Sequence, residues 1–87
     1  MTKESNHNIF RTKDLNEATY LYVSNKKLLD IEKDNGFCWF IFEDNEGCRA
    51  LLDTYWRNEA LVSAKTFAEA LKSLKYRVIN VKKEGRA

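Results

Sequence analysis

Few residues of this chain could carry out chemistry. The single histidine, His7, lies in a polar N-terminal stretch with no neighbour that would activate it, and one histidine in a tail does not build a catalytic triad. Cys38 and Cys48 are ten positions apart, whereas a zinc site needs four ligands, usually in close pairs. We therefore expect no metal site and no cofactor. We interpret both cysteines as reduced residues of the core.

Carboxylate pairs occur at Asp30 and Glu32 and at Glu43 and Asp44. Acid–base catalysis would need one carboxyl group of such a pair in a cleft that raises its pKa. Asp44 is explained as a helix cap, and Asp30 and Glu32 as the solvent side of a strand. The three glycines are scattered, so the chain has no glycine-rich phosphate loop. We predict no enzymatic activity and no small-molecule substrate.

The composition predicts one globular domain. The 87 residues are 44% apolar, 13% aromatic and 32% charged, which suits a folded chain. The net charge of +2 lacks the basic excess expected of an obligate binder of duplex DNA or RNA. We place the domain at residues 9–81 and expect residues 1–8 and 82–87 to be frayed polar tails. No apolar run approaches the ~20 residues of a membrane span, so we expect no membrane partner and a cytoplasmic location.

A β-hairpin over about 27–43 is the strongest structural signal. Asn35 and Gly36 are suited to the positive φ angles of a type I′ turn between two β-prone runs. With these two residues as the loop, Asp30 and Glu32 lie opposite Ile41 and Trp39 on one face. The other face is apolar and must be covered by helices; it carries Leu29, Ile31, Cys38, Phe40 and Phe42.

A first helix is predicted before the hairpin, over about 15–24. Asp14 is its N-cap, and Glu17 is placed to return a bond to the Asp14 amide as in a capping box. Residues 9–10, which precede this helix, are either a short strand or an apolar anchor.

Two further helices are predicted after the hairpin. One runs over about 45–57 with Asp44 as N-cap and Asn58 as terminator, and the next begins after Ser63 and persists to about Ile79. A β-prone strand over 76–81 is the alternative end. The element order α-β-β-α-α predicts an α+β fold with the helices packed on the Phe40 face. The last helix has a regular apolar stripe of Phe67, Ala70, Leu71, Leu74 and Val78.

Trp39 and Ile41 are unexpected on this face of the hairpin, because Asp30 and Glu32 indicate that it is exposed to solvent. The favoured interpretation is that the second half of the first helix, or residues 78–81, folds over them. The second is that they form a contact with another protein or a second copy. Base stacking on Trp39 is the least favoured, because the flanking acids would repel phosphates.

Basic residues on the last helix and in the tail give the argument for nucleic acid. Phosphates of a single strand could follow the outer face of the helix, although Glu69 lies at ion-pair spacing from two of the lysines. The residues of this alternative site are Lys65, Lys72, Lys75, Tyr76, Lys82 and Lys83.

Several strings carry a family resemblance: FRTKDL at 10–15, CWFIFE at 38–43, YW at 55–56 and EALV at 59–62. Over about 10–78 the chain resembles a family of short bacterial and viral proteins catalogued only as a domain of unknown function. The resemblance implies one small domain and carries over no activity or site residue.

The surplus of aromatic residues leads to the functional prediction. We expect a non-catalytic interaction domain that binds another protein or itself, with Trp39, Ile41 and Trp56 as anchors. The alternative is a weak binder of single-stranded nucleic acid or RNA through the basic residues above.

Overall fold

The fold is a three-stranded antiparallel sheet with three helices, in a computed structural model that describes residues 8–86, with side chains through residue 82. The α+β class and the hairpin are confirmed. The sheet has the strand order β1-β3-β2. In chain order the elements are β1 (Ile9–Thr12), α1 (Leu15–Val23), β2 (Leu28–Asp34), β3 (Phe37–Glu43), α2 (Asn45–Trp56) and α3 (Ala64–Arg86).

Strand β1 is the element that the predicted order lacks. Residues 9–10, left open between strand and anchor, belong to this strand, which pairs with β3 from Ile9 opposite Glu43 to Thr12 opposite Phe40. The predicted two-stranded hairpin is therefore part of a three-stranded sheet. Because β1 occupies the free edge of β3, β3 is the central strand and is hydrogen-bonded on both sides.

The hairpin register agrees with the prediction except at its open end. Asn35 and Gly36 have φ angles of 52° and 84°, as the turn requires. Pairing follows the predicted partners as far as Asp30 opposite Ile41, but Phe42 pairs with Leu28 and not with Leu29. A β-bulge between Leu28 and Asp30 inserts Leu29 as an extra residue, so Leu28 packs against the core while Leu29 is exposed.

The predicted helix caps are confirmed. Asp14, Asp44 and Ser63 each accept a hydrogen bond from the backbone N–H three residues further on, at 3.0, 3.0 and 3.3 Å. Asn58, which follows α2, has the predicted positive φ of 64°. These side chains satisfy amides that have no partner inside their helices.

Helix α3 continues to Arg86, beyond the predicted end near Ile79. The helix is therefore confirmed over the alternative strand at 76–81. The backbone of residues 82–86, assigned to a polar tail, is helical, and its fraying stays a prediction. Residues 1–7, most of the other predicted tail, lie outside the described residues.

The core lies between the helices and one face of the sheet. Phe40 and Phe42 of β3 form a cluster with buried residues of all three helices. Within the α3 stripe the fully buried residue is Leu74, while Leu71 is partly exposed. Cys38 and Cys48 are free and buried, as predicted.

The two leucines of α3 give a matched test of this core. We expect Leu74→Ala to lower the free energy of unfolding by about 2 to 5 kcal/mol, because it leaves a cavity beside Phe40 and Phe42. Leu71→Ala deletes the same atoms from the same helix at a position that solvent reaches, and we expect less than half that loss. Urea denaturation measures both; equal losses would contradict the placement of the core.

An ion pair joins the α1–β2 connection to the start of α2. Lys26 Nζ lies 2.5 Å from Asp44 Oδ2, beside the bare backbone of Gly47. The hydrogen bond from Lys26, and then that from the Gly47 amide, hold the pKa of Asp44 below its ordinary value of 3.8. The same hydrogen bond raises the pKa of Lys26.

The lowered pKa predicts an acid-dependent contribution of Asp44 to stability. The unfolded chain takes up this proton at a higher pH than the folded chain, so the contribution is complete above the ordinary Asp value and is lost as the pH falls through the lowered one. Asp44→Asn keeps the cap oxygen and tolerates the positive φ of 69° at this position, but removes the charge. We expect the stability difference between wild type and Asp44→Asn, measured by urea denaturation, to shrink as the pH falls from 6 to about 3. A difference independent of pH would contradict the ion pair.

Candidate interaction surfaces

The outer face of the sheet, opposite the helices, carries the Trp39 and Ile41 of the sequence prediction. Ile41 is 6% exposed and Trp39 is partly exposed. The prediction that the first helix or residues 78–81 would cover these two side chains is wrong. Helix α1 and residues 78–81 of α3 lie on the Phe40 side of the sheet. Ile41 lies in the central strand, with Arg11 of β1 and Asp30 of β2 as its paired residues.

Two cations from β1 and the residue after it cover the aromatic rings of this outer face. The Arg11 guanidinium lies 4.9 Å from the centre of the Trp39 ring and 3.6 Å from a Glu32 carboxylate oxygen. Lys13 Nζ lies 4.1 Å from the centre of the Phe37 ring. Cations seated on aromatic faces shield them from solvent, so Trp39 and Ile41 offer a partner little free surface.

Trp56, the third predicted anchor, is held at the end of α2 by a hydrogen-bond network. Its Nε1 donates to Glu17 Oε2 at 2.7 Å, and the other oxygen of Glu17 accepts from Thr12 Oγ1 at 2.8 Å. The expected return bond from Glu17 to the Asp14 amide is wrong, since that amide donates to Thr12 Oγ1 at 3.1 Å. Glu17 thereby links β1, α1 and α2.

Trp56 is part of an exposed apolar patch at the α2–α3 connection. Trp56 is 64% exposed and Leu61 is 95% exposed, and with the exposed Val62 they form what we call the Trp56 patch. Sequence reasoning missed Leu61 and Val62 as site residues; the available signal was a run of three apolar residues, 60–62, in a helix connection. Beside the patch lies a groove of about 390 Å³ lined by Tyr20, Tyr55, Trp56, Asn58, Ala60, Val62 and Phe67.

Aromatic packing stiffens this groove. Tyr55 stacks on Tyr20 with ring centres 5.4 Å apart and meets the edge of Trp56 at 5.2 Å. Burial raises the pKa of the Tyr55 phenol above its ordinary value. Trp56 lies in the helical layer, whereas Trp39 and Ile41, the other two predicted anchors, lie on the opposite face of the sheet.

The basic residues predicted for nucleic acid do not form one stripe. Lys65, Lys72 and Tyr76 are exposed on the outer side of α3, where Lys65 is 4.0 Å from the carboxylate of Glu69. Lys75 and Lys82 lie toward the hairpin, about 90° around the helix from that stripe. The side chain of Lys83 lies outside the described residues.

Lys75 and Lys82 border a second groove, between the hairpin turn, the start of α1 and the C-terminal half of α3. Its volume is about 490 Å³. We call it the lysine-rimmed groove. It is lined by Lys13, Leu15, Gly36, Phe37, Cys38, Phe40, Lys75, Val78, Ile79 and Lys82.

The metal-binding capacity of the described residues and the state of one thiol bear on their chemistry. They contain no group of three or more His, Cys, Asp or Glu side chains that could hold a metal ion. Burial raises the pKa of the Cys48 thiol to about 11, so it is protonated at neutral pH and a poor nucleophile. Over the same part of the chain, no helix combines the length and apolar character needed to cross a bilayer.

Comparison with known proteins identifies one family. The family model described as a domain of unknown function, DUF5659, matches residues 7–80. No curated protein and no solved structure matches the chain. The match covers most of the sequence and confirms the resemblance drawn from its motifs: the chain belongs to the DUF5659 family.

Proposed function

We propose that this protein is a non-catalytic interaction domain that self-associates, with the Trp56 patch as the contact between two copies. The observation that supports this most directly is a tryptophan that is both exposed and fixed. Trp56 donates its indole N–H to Glu17 and contacts the Tyr55 ring in an edge-to-face arrangement, while 64% of its surface remains exposed. A rigid aromatic side chain loses little rotamer entropy on binding, and tryptophan is among the residues enriched at interface hot spots.

The apolar residues beside Trp56 extend this anchor. Leu61 is almost fully exposed in the connection and Val62 lies next to it, along the aromatic groove. Contiguous exposed apolar patches on monomeric proteins are small, about 300 to 600 Å², and are often functional. Three large apolar side chains at one helix connection fit the centre of a small interface.

The charges around the patch favour a second copy as its occupant. Arg57 lies 3.0 Å from an Asp53 carboxylate oxygen and 3.7 Å from one of Glu59. The rim therefore holds both signs side by side, and a two-fold contact can place Arg57 of one copy against the carboxylates of the other. A strongly charged partner would find no matching field here.

The other predicted anchors and partners have weaker support. Trp39 lies under Arg11, and Ile41 is buried. The single-stranded nucleic acid of the alternative would meet Glu69 among the lysines of the outer α3 stripe. Steep salt dependence, with a loss of affinity in Lys72→Glu, remains its signature. A cytoplasmic location and a bacterial or viral source stay predictions.

Leu61→Ser is the sharpest test of the contact, since this side chain is exposed and its loss leaves the core intact. For the wild type we expect the mass from light scattering to rise from 10.2 kDa toward twice that value as concentration increases from about 1 to 500 µM. Leu61→Ser should weaken this association about tenfold or more, as for truncation of an interface anchor.

Ile79→Ser is the matched control, because Ile79 is also an exposed large apolar residue but lies at the other end of α3. It should leave the dimer unchanged. A wild type that stays monomeric over the whole range, or a dimer that Trp39→Ala dissociates and Leu61→Ser does not, would refute the Trp56 patch as the interface.

A further inference from the structure

We propose that the lysine-rimmed groove binds an acidic, amphipathic helical segment of a partner protein. The site is distinct from the Trp56 patch, which lies near the N-terminal end of α3, and the proposal does not depend on self-association. Its basis is an apolar floor, two lysines on the α3 wall and the spacing of those lysines.

The groove offers apolar surface on the α3 wall and on its floor. Ile79 of α3 is 51% exposed. Leu15 and Val78 line the groove beside it. A volume of about 490 Å³ falls in the range of binding pockets, about 300 to 1,000 Å³, and accommodates a few apolar side chains.

The basic residues that line the groove indicate an acidic partner. Among the residues that line the groove, Lys13, Lys75 and Lys82 are basic and none is acidic. Lys13 also lines the groove, but its Nζ lies over the Phe37 ring on the outer face of the sheet, so the charges that face the groove are those of Lys75 and Lys82. A carboxylate that enters the groove along α3 therefore meets two cations and no like charge from the lining.

The spacing of the lysines favours a helix over other anionic ligands. Lys75 and Lys82 are seven residues apart on α3, which places their backbones about 10 Å apart along one wall. Carboxylates seven residues apart on a docked helix have the same spacing, and its apolar stripe at i, i+3, i+4 and i+7 would fill the floor. A fatty acid carries one carboxylate and leaves the other lysine unpaired. Stacking of a nucleobase on Phe37 is opposed by Lys13, which already covers that ring.

A fluorescein-labelled helical peptide of about fifteen residues, roughly 22 Å long, provides the probe. It carries leucines at the spacing of one helix face and glutamates on both sides of that stripe. We expect fluorescence anisotropy to show saturable binding that weakens as salt rises, because the contact is partly ionic. A second peptide with lysine in place of every glutamate should not bind.

Two charge-reversal variants test where the peptide binds. Lys75→Glu with Lys82→Glu should weaken binding about tenfold or more, as expected for paired charges that become repulsive. Lys65→Glu with Lys72→Glu makes the same change at the same seven-residue spacing on the outer side of α3 and should leave binding unchanged.

The proposal is overturned if the acidic peptide fails to bind up to about 500 µM, or if both double variants lose binding equally. It is also overturned if oleate or a single-stranded RNA binds at the groove and the acidic peptide does not. Light scattering on the same variants separates the two surfaces. The groove variant should keep the self-association of the wild type, and Leu61→Ser should keep the peptide affinity.

Discussion

The alternation of side chains along β3 is the constraint on which both faces of the sheet depend. Because this strand is hydrogen-bonded to β1 and β2, its register cannot slip without breaking two ladders. Phe40 and Phe42 must then face the helices, and Trp39 and Ile41 must face away from them. The protein accommodates this outer face with charged side chains, since Arg11 and Lys13 extend over the rings and keep their charges in water.

Glu17 has a similar role among the helices, because its two carboxylate oxygens are used by different elements. One accepts from Thr12 at the end of β1, and the other accepts from Trp56 at the end of α2. A carboxylate that would be an ordinary surface charge near a helix start thereby fixes the orientation of an exposed tryptophan. The orientation of Trp56 thus depends on contacts with the β1–α1 connection.

The predictable parts of the fold depend on local signals. The turn at Asn35 and Gly36, the caps and the apolar stripe of α3 are decided within a few residues, and each is present in the structure. The features that were not predicted depend on residues far apart in the sequence. β1 has four residues and is a strand because it pairs with β3, the bulge at Leu29 depends on pairing across the sheet, and Glu17 meets a residue 39 positions away. The candidate sites follow the same division: Trp56 was predicted as an anchor, but the groove beside Lys75 and Lys82 forms only where the hairpin turn and the start of α1 meet α3 in the tertiary fold.

The two proposed surfaces lie at different positions along the long helix α3. Residue 64 begins the helix beside the Trp56 patch, and Ile79 lies about 22 Å along it, in the lysine-rimmed groove. A two-fold contact through the patch would therefore leave both grooves outside the contact. Such a dimer presents two equivalent cationic sites, and a partner with two acidic segments would bind the second as an intramolecular step, at an effective concentration set by the linker between them. Two surfaces that are each small could in this way give a strong interaction, because self-association and partner binding would use opposite ends of one rigid helix.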